Sequence, residues 1–148
     1  MDVLHGMPHC FIMEPQKGSG GKRLLLSVVV DDDESVRESL PDLLREFGFA
    51  ARAFSSAQEF LSSGCVDETS CLILDVAMPG MSGPELQQEL KRRGQEIPII
   101  FITGQRDEAI RARVRKQGAA GFLFKPFSDK DLLAAIKTAL PAVGGSTG

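Results

Sequence analysis

Three short runs of this chain are apolar on both faces and end abruptly: Leu24-Leu25-Leu26-Ser27-Val28-Val29-Val30, Cys71-Leu72-Ile73-Leu74 and Ile97-Pro98-Ile99-Ile100-Phe101-Ile102. Runs of this length, bounded by turn residues, read as strands buried from both sides. That pattern belongs to a parallel sheet covered by helices, and parallel strands need long crossovers, usually helical. The intervening segments supply them.

After the first run, Val36, Leu40, Leu43, Leu44 and Phe47 form one apolar helical stripe that Gly48 ends. Pro41 lies inside that helix and predicts a local kink. Phe49 to Phe54 reads as a second strand. Ser55 or Ser56, with Gln58 or Glu59, caps a short helix ending by Gly64. After the Cys71 strand, Ser82-Gly83-Pro84 opens a third helix with Leu86 and Leu90 inward, stopped by Gly94. A fourth helix spans Asp107 to about Gln117, with Ile110 and Val114 inward and Arg111, Arg113, Arg115 and Lys116 on its other faces. Ala119 to Phe124 is the fifth strand. Ser128 and Asp131 form a capping box for a last helix buried through Leu132, Leu133, Ile136 and Leu140. Five strand–helix units with right-handed crossovers give an α/β fold, a five-stranded parallel sheet with helices on both faces. The common order for such a sheet is 2-1-3-4-5.

Residues 1–22 mix Gly, Pro, His and Met without period and end in Gly18-Ser19-Gly20-Gly21, so they read as a flexible extension. The folded unit is expected over residues 23–141, with 142–148 a flexible tail. Met13 is an alternative start. No basic segment followed by an apolar core marks a signal peptide, and no apolar run is long enough to span a bilayer. His5, His9 and Cys10 lack a fourth metal ligand nearby. Gly21-Lys22 lacks the upstream Gly and following Ser or Thr of a phosphate loop. A formal net charge of −3 gives no basic field for nucleic acid. Three unpaired-looking cysteines suggest free thiols and a reducing compartment, hence the cytoplasm.

The chemistry gathers at strand ends. Asp31 and Asp32 follow the first strand, Asp75 the third, Thr103 the fourth and Lys125 the fifth. In an open α/β sheet, ligands bind at the carboxyl ends of strands where the strand order reverses. Three carboxylates brought together resist joint ionisation unless a cation joins them, and an all-oxygen set suits Mg²⁺. A carboxylate, an ammonium and a hydroxyl beside it can receive a phosphoryl group.

Val-Asp-Asp after the first strand, Leu-Asp-x-x-Met-Pro-x-Met-x-Gly after the third, Ile-Thr-Gly after the fourth and Lys-Pro-Phe after the fifth resemble the CheY-like receiver domains of two-component response regulators. The resemblance runs from about Arg23 to Leu140. Its wording is nearest to receivers of the nodulation and nitrogen-fixation regulator type. It implies a signalling domain that catalyses only its own phosphorylation and dephosphorylation, with Asp75 as phosphoacceptor. It implies Mg²⁺ held by Asp31, Asp32, Asp75 and the backbone carbonyl of Ala77, and phosphoryl oxygens bound by Thr103 and Lys125. Thr103 and Phe122 are the implied switch residues. Ala77 and Gln105 border the implied path of hydrolytic water. The implied partners are a sensor histidine kinase and an output protein or second copy, met through the fourth helix, fifth strand and last helix. No DNA-reading helix follows Leu140, so direct nucleic-acid binding by this chain and membrane binding are not expected.

Two rivals compete. Asp31-Asp32-Asp33-Glu34-Ser35 also fits the haloacid-dehalogenase phosphatase pattern, with Asp31 as nucleophile and Asp33 as acid/base. That pattern needs a late acidic pair after a strand, whereas Asp129 and Asp131 fall at a helix start. The other rival is a pseudo-receiver that never takes phosphate, although all five key positions are intact.

Overall fold

The computed structural model describes residues 24–140, so the readings for residues 1–22, including His5, His9, Cys10 and Met13, and for the 142–148 tail lie outside the described residues. The chain alternates β1 (Leu26–Val30), α1 (Glu34–Glu46), β2 (Ala50–Phe54), α2 (Ala57–Ser62), a 3₁₀ turn (Val66–Glu68), β3 (Thr69–Asp75), α3 (Gly83–Arg92), β4 (Ile99–Thr103), α4 (Glu108–Lys116), β5 (Gly121–Phe124) and α5 (Asp129–Ala139). All five strands pair in parallel in the order β2-β1-β3-β4-β5, as the sequence implied.

Two apolar layers hold the sheet. Val28, Val30, Leu72, Leu74 and Phe101 point into one, with Phe60 of α2, Leu86 and Leu90 of α3 and Val114 of α4. Val29, Cys71, Ile73, Ile100 and Ile102 point into the other, with Leu40 and Leu44 of α1 and Leu132 and Ile136 of α5. Alternate residues of each central strand thus serve opposite faces, which is why those strands lack polar alternation. Cys65 and Cys71 are free and buried, one in each layer, and burial pushes the Cys71 thiol up to about 12.

Most departures from the sequence reading lie at element ends. Phe49 does not start β2, because its N–H is bound to Leu44 O in the turn closing α1. Ala119 is likewise held by Val114 O, which delays β5. β4 starts at Ile99, after the proline that has no N–H to give. Helix α1 runs on through Pro41, which is buried. Ser56 caps α2 by accepting from Glu59 N, but the Glu59 carboxylate reaches back to Ser55, not to the cap itself. Ser128 accepts from Asp131 N as expected, whereas the full reciprocal box is at Ser82 and Glu85 of α3. The 3₁₀ turn was not anticipated. No described helix is long and apolar enough to cross a membrane.

Candidate functional site

β1 and β3 are adjacent and their crossovers diverge, so a crevice opens beyond their carboxyl ends. Asp31 is the first residue past β1 and is fully buried. Its N–H donates to Phe54 O at 3.1 Å, and its carbonyl accepts from the Arg37 guanidinium at 3.1 Å. Its Oδ1 accepts from Asp33 N at 2.9 Å. Its Oδ2 is buried and lies 2.9 Å from Lys125 Nζ, an ion pair. Asp32, one residue on, is exposed.

Asp75 is the last residue of β3 and only 5% exposed. Lys125 Nζ is 3.8 Å from its Oδ1. Burial, helped by the neighbouring charge of Asp31, pushes the Asp75 carboxyl up to about 7 in the metal-free protein, against the pull of Lys125. Burial draws the Lys125 ammonium the other way, but Asp31 and Asp75 outweigh it and hold its pKa above the ordinary value.

Thr103 closes β4 and is buried. Its Oγ1 accepts from Gln105 N at 3.1 Å, and its carbonyl accepts from Lys125 N at 2.7 Å. The two strand ends carrying Thr103 and Lys125 are therefore tied together. The loop after Asp75 is pinned just before Ala77, since Val76 N donates to Ile102 O and Val76 O accepts from Gly83 N. Ala77 and Gln105 are both exposed beside the crevice. Phe122 is half-buried against the first layer, its ring 6.5 Å from that of Phe101 and 5.3 Å from that of Phe124.

One carboxylate oxygen from each of Asp31, Asp32 and Asp75 lies within 4.8 Å of the others. Three carboxylates that can each turn an oxygen toward one point, two of them buried, fit a small divalent cation that keeps several waters. Asp33 is not part of the cluster: it caps α1, and hydrogen bonds from Ser35 hold its carboxyl below the usual range. Asp129 and Asp131 sit in the first turn of α5, outside the cluster, and leave the phosphatase pattern without its late acidic pair.

The sequence reading assigned no role at this site to Arg37 or to the close approach of Gly83, and none to Gln87 farther along α3. Arg37 buttresses Asp31 from α1, a role that spacing alone does not reveal. Gly83 was visible in the motif, but its reason is steric: a Cβ there would lie 2.3 Å from Asp75 O. Gln87 is buried on α3 and bonded to the carbonyls that end α4.

Comparison with known proteins agrees with this geometry. The family model for the response regulator receiver domain matches residues 28–137. Nodulation protein W of Bradyrhizobium diazoefficiens is 51% identical over 111 residues, which make up 75% of this chain and 49% of that protein. The chain spans about half the length of the curated relatives it matches. The structure of the response regulator StyR aligns with a TM-score of 0.74 at 45% identity, covering 82% of this chain and 61% of that one. The crystal structure of FixJ-N aligns with a TM-score of 0.71 at 37% identity, over 80% and 94% of the two chains. Neither the phosphatase nor the pseudo-receiver reading is favoured by these matches. A doubly wound sheet whose switch point gathers a buried acid pair and a lysine, matched along most of its folded length, places this chain in the family of two-component response regulator receiver domains.

Proposed function

We propose that this chain takes a phosphoryl group onto Asp75 from a sensor histidine kinase, in the cytoplasm, and that the modification resets a protein-binding face. The observation that supports it is the single lysine set between two buried carboxylates, 2.9 Å from Asp31 and 3.8 Å from Asp75. One Asp75 oxygen attacks phosphorus, and the donor's bond to phosphorus breaks as the new O–P bond forms. Lys125 balances charge on the phosphoryl oxygens, and Thr103 donates its hydroxyl to one of them. Asp31, Asp32, Asp75 and the Ala77 carbonyl would hold Mg²⁺, which neutralises phosphoryl charge when bound. The chain catalyses only its own phosphorylation and dephosphorylation, and Gln105 and Ala77 border the path of the hydrolytic water.

Incubation with acetyl phosphate and Mg²⁺ is expected to add one phosphoryl group by intact mass. Chelator, or Asp75→Asn, is expected to abolish the addition. An adduct of full yield that persists in either would overturn the assignment.

Thr103 is the switch contact, and Phe122 is the neighbour that responds. When Thr103 moves to the phosphoryl oxygens, it vacates space under α4, and the Phe122 ring can turn into it without burying an unpaired polar atom. The face of α4, β5 and α5 then meets an output protein or a second copy. Thr103→Ala is therefore expected to be phosphorylated, with its spectral response to beryllofluoride confined to the surroundings of Asp75. Amide shifts in α4 as large as those of the wild type would remove Thr103 from the switch.

A further inference from the structure

Helix α4 is fastened more firmly at one end. Val114, in its last turn, is its one fully buried residue and Ile110 packs half-buried against the same layer, while Glu108, Ala109, Ala112 and Arg113 are exposed, as is the preceding loop Gly104–Arg106. The far end is held several times over. Ala119 N and Gly118 N close the helix onto Val114 O and Arg115 O, with Gly118 at φ 102°. From α3, Gln87 Nε2 donates to Val114 O at 3.3 Å and lies 3.5 Å from Gln117 O, and Lys91 Nζ donates to Gln117 O at 3.0 Å. Gln87 and Lys91 are four residues apart, so one face of α3 presents both donors.

The Gln87 amide is a poor choice for stability alone. It is 4% exposed and its Oε1 has no hydrogen-bond partner. Facing two carbonyls fixes the nitrogen toward α4 and leaves the oxygen orphaned. A leucine would fill similar space without burying an unpaired acceptor. What the amide gains in return is a pair of contacts to the end of another helix, which points to a positional role.

We propose that Gln87, with Lys91, is a positioning residue that pins the carboxyl end of α4 and makes it the pivot of the switch. Displacement at Thr103 then enters α4 only at its amino end. Over a helix of about 13 Å, a movement of about 2 Å becomes a tilt of roughly 8°, which displaces the exposed Glu108, Ala109 and Ala112 most and Arg113 and Arg115 least, without sliding the helix. The pivot rests on the switch reading of Thr103, but the fastening itself does not require it.

The resting protein tests the fastening without any phosphoryl chemistry. In Gln87→Leu, amide hydrogen exchange at Gln117, Gly118 and Ala119 is expected to be at least tenfold faster. Exchange at Ala109–Arg111 and the urea midpoint should stay unchanged; Gln87→Met repeats the test if the leucine variant folds poorly. Beryllofluoride with Mg²⁺ then tests the pivot. Wild-type amide shifts should decline from Glu108 to Lys116, and in Gln87→Leu they should be level along the helix. Unchanged exchange at Gln117–Ala119, or a large drop in the urea midpoint of both variants, would overturn the fastening. Level wild-type shifts would overturn the pivot. A wild type with no response to beryllofluoride would sink the switch reading, while the exchange result still decides the fastening.

Discussion

Asp75→Asn is expected to lose phosphoryl uptake and yet to melt higher than the wild type in chelator at pH 8. The carboxyl is buried at the end of β3 and its pKa stands at about 7 in the metal-free fold, against an ordinary 3.8. The folded protein therefore holds a proton on Asp75 that the unfolded chain has already released between about pH 4 and about pH 7. Stability falls as pH rises through that window, and the penalty is complete above it. A full shift of this size corresponds to about 4 kcal/mol. The crevice lets some solvent reach the group, so about 2 kcal/mol is the working figure. That is on the order of 5–10 °C in melting temperature for a domain of this size. Asparagine carries no charge to desolvate, and Lys125 keeps its 2.9 Å partner in Asp31, so the variant should show little of this pH dependence. Mg²⁺ should stabilise the wild type and do little for the variant. Thermal melts at pH 5 and pH 8, with and without Mg²⁺, decide it. A variant that melts below the wild type in chelator at pH 8 would mean that Asp75 is stabilising as an anion. Asp32→Asn is expected to act in the same direction but weakly, because burial and Asp31 are the main causes of the shift and Asp32 is the least of those raising it.

Gly83→Ala is expected to destabilise the domain by about 3 kcal/mol or more and to slow phosphorylation. The first residue of α3 is pressed onto the end of β3. An added Cβ would lie 2.3 Å from Asp75 O, 3.0 Å from Val76 Cα and 3.1 Å from Asp75 C. All three are backbone atoms, so no side chain can rotate away. Relief requires α3 to lift or the Asp75 carbonyl to move, and lifting breaks the 2.9 Å bond from Gly83 N to Val76 O. The phosphoacceptor is thus held from behind by a glycine chosen for close approach. Urea denaturation measures the first effect, and the rate of adduct formation from acetyl phosphate measures the second. A variant within about 1 kcal/mol of wild type and phosphorylated at the same rate would show that α3 docks with slack.

The period and placement of apolar residues determined the five strand–helix units. Val28 to Val30, Leu72 to Leu74 and Ile99 to Ile102 had to lie between two helical layers, because they are apolar on both faces. Once the strand order is 2-1-3-4-5, the positions of Asp31, Asp75, Thr103 and Lys125 follow from each being last in, or next after, a strand. The gathering of the site was legible for that reason. Element ends were not, because the N–H groups of Phe49 and Ala119 are contested between a helix cap and a strand, and only the packed chain resolves the contest.

Tertiary structure alone decided which acid is anchored and which is free. Asp31 and Asp32 are neighbours of one type in the sequence, yet one is wholly buried with its backbone and Oδ1 bonded, and the other is exposed. The same holds for Gln87, whose polar side chain on an amphipathic helix reads as a surface residue until α4 is laid across it. Periodicity reports which face of a helix turns inward. It carries no distance to groups that are remote in sequence, and those distances place Lys125 between Asp31 and Asp75, Gly83 against Asp75, and Gln87 under the end of α4.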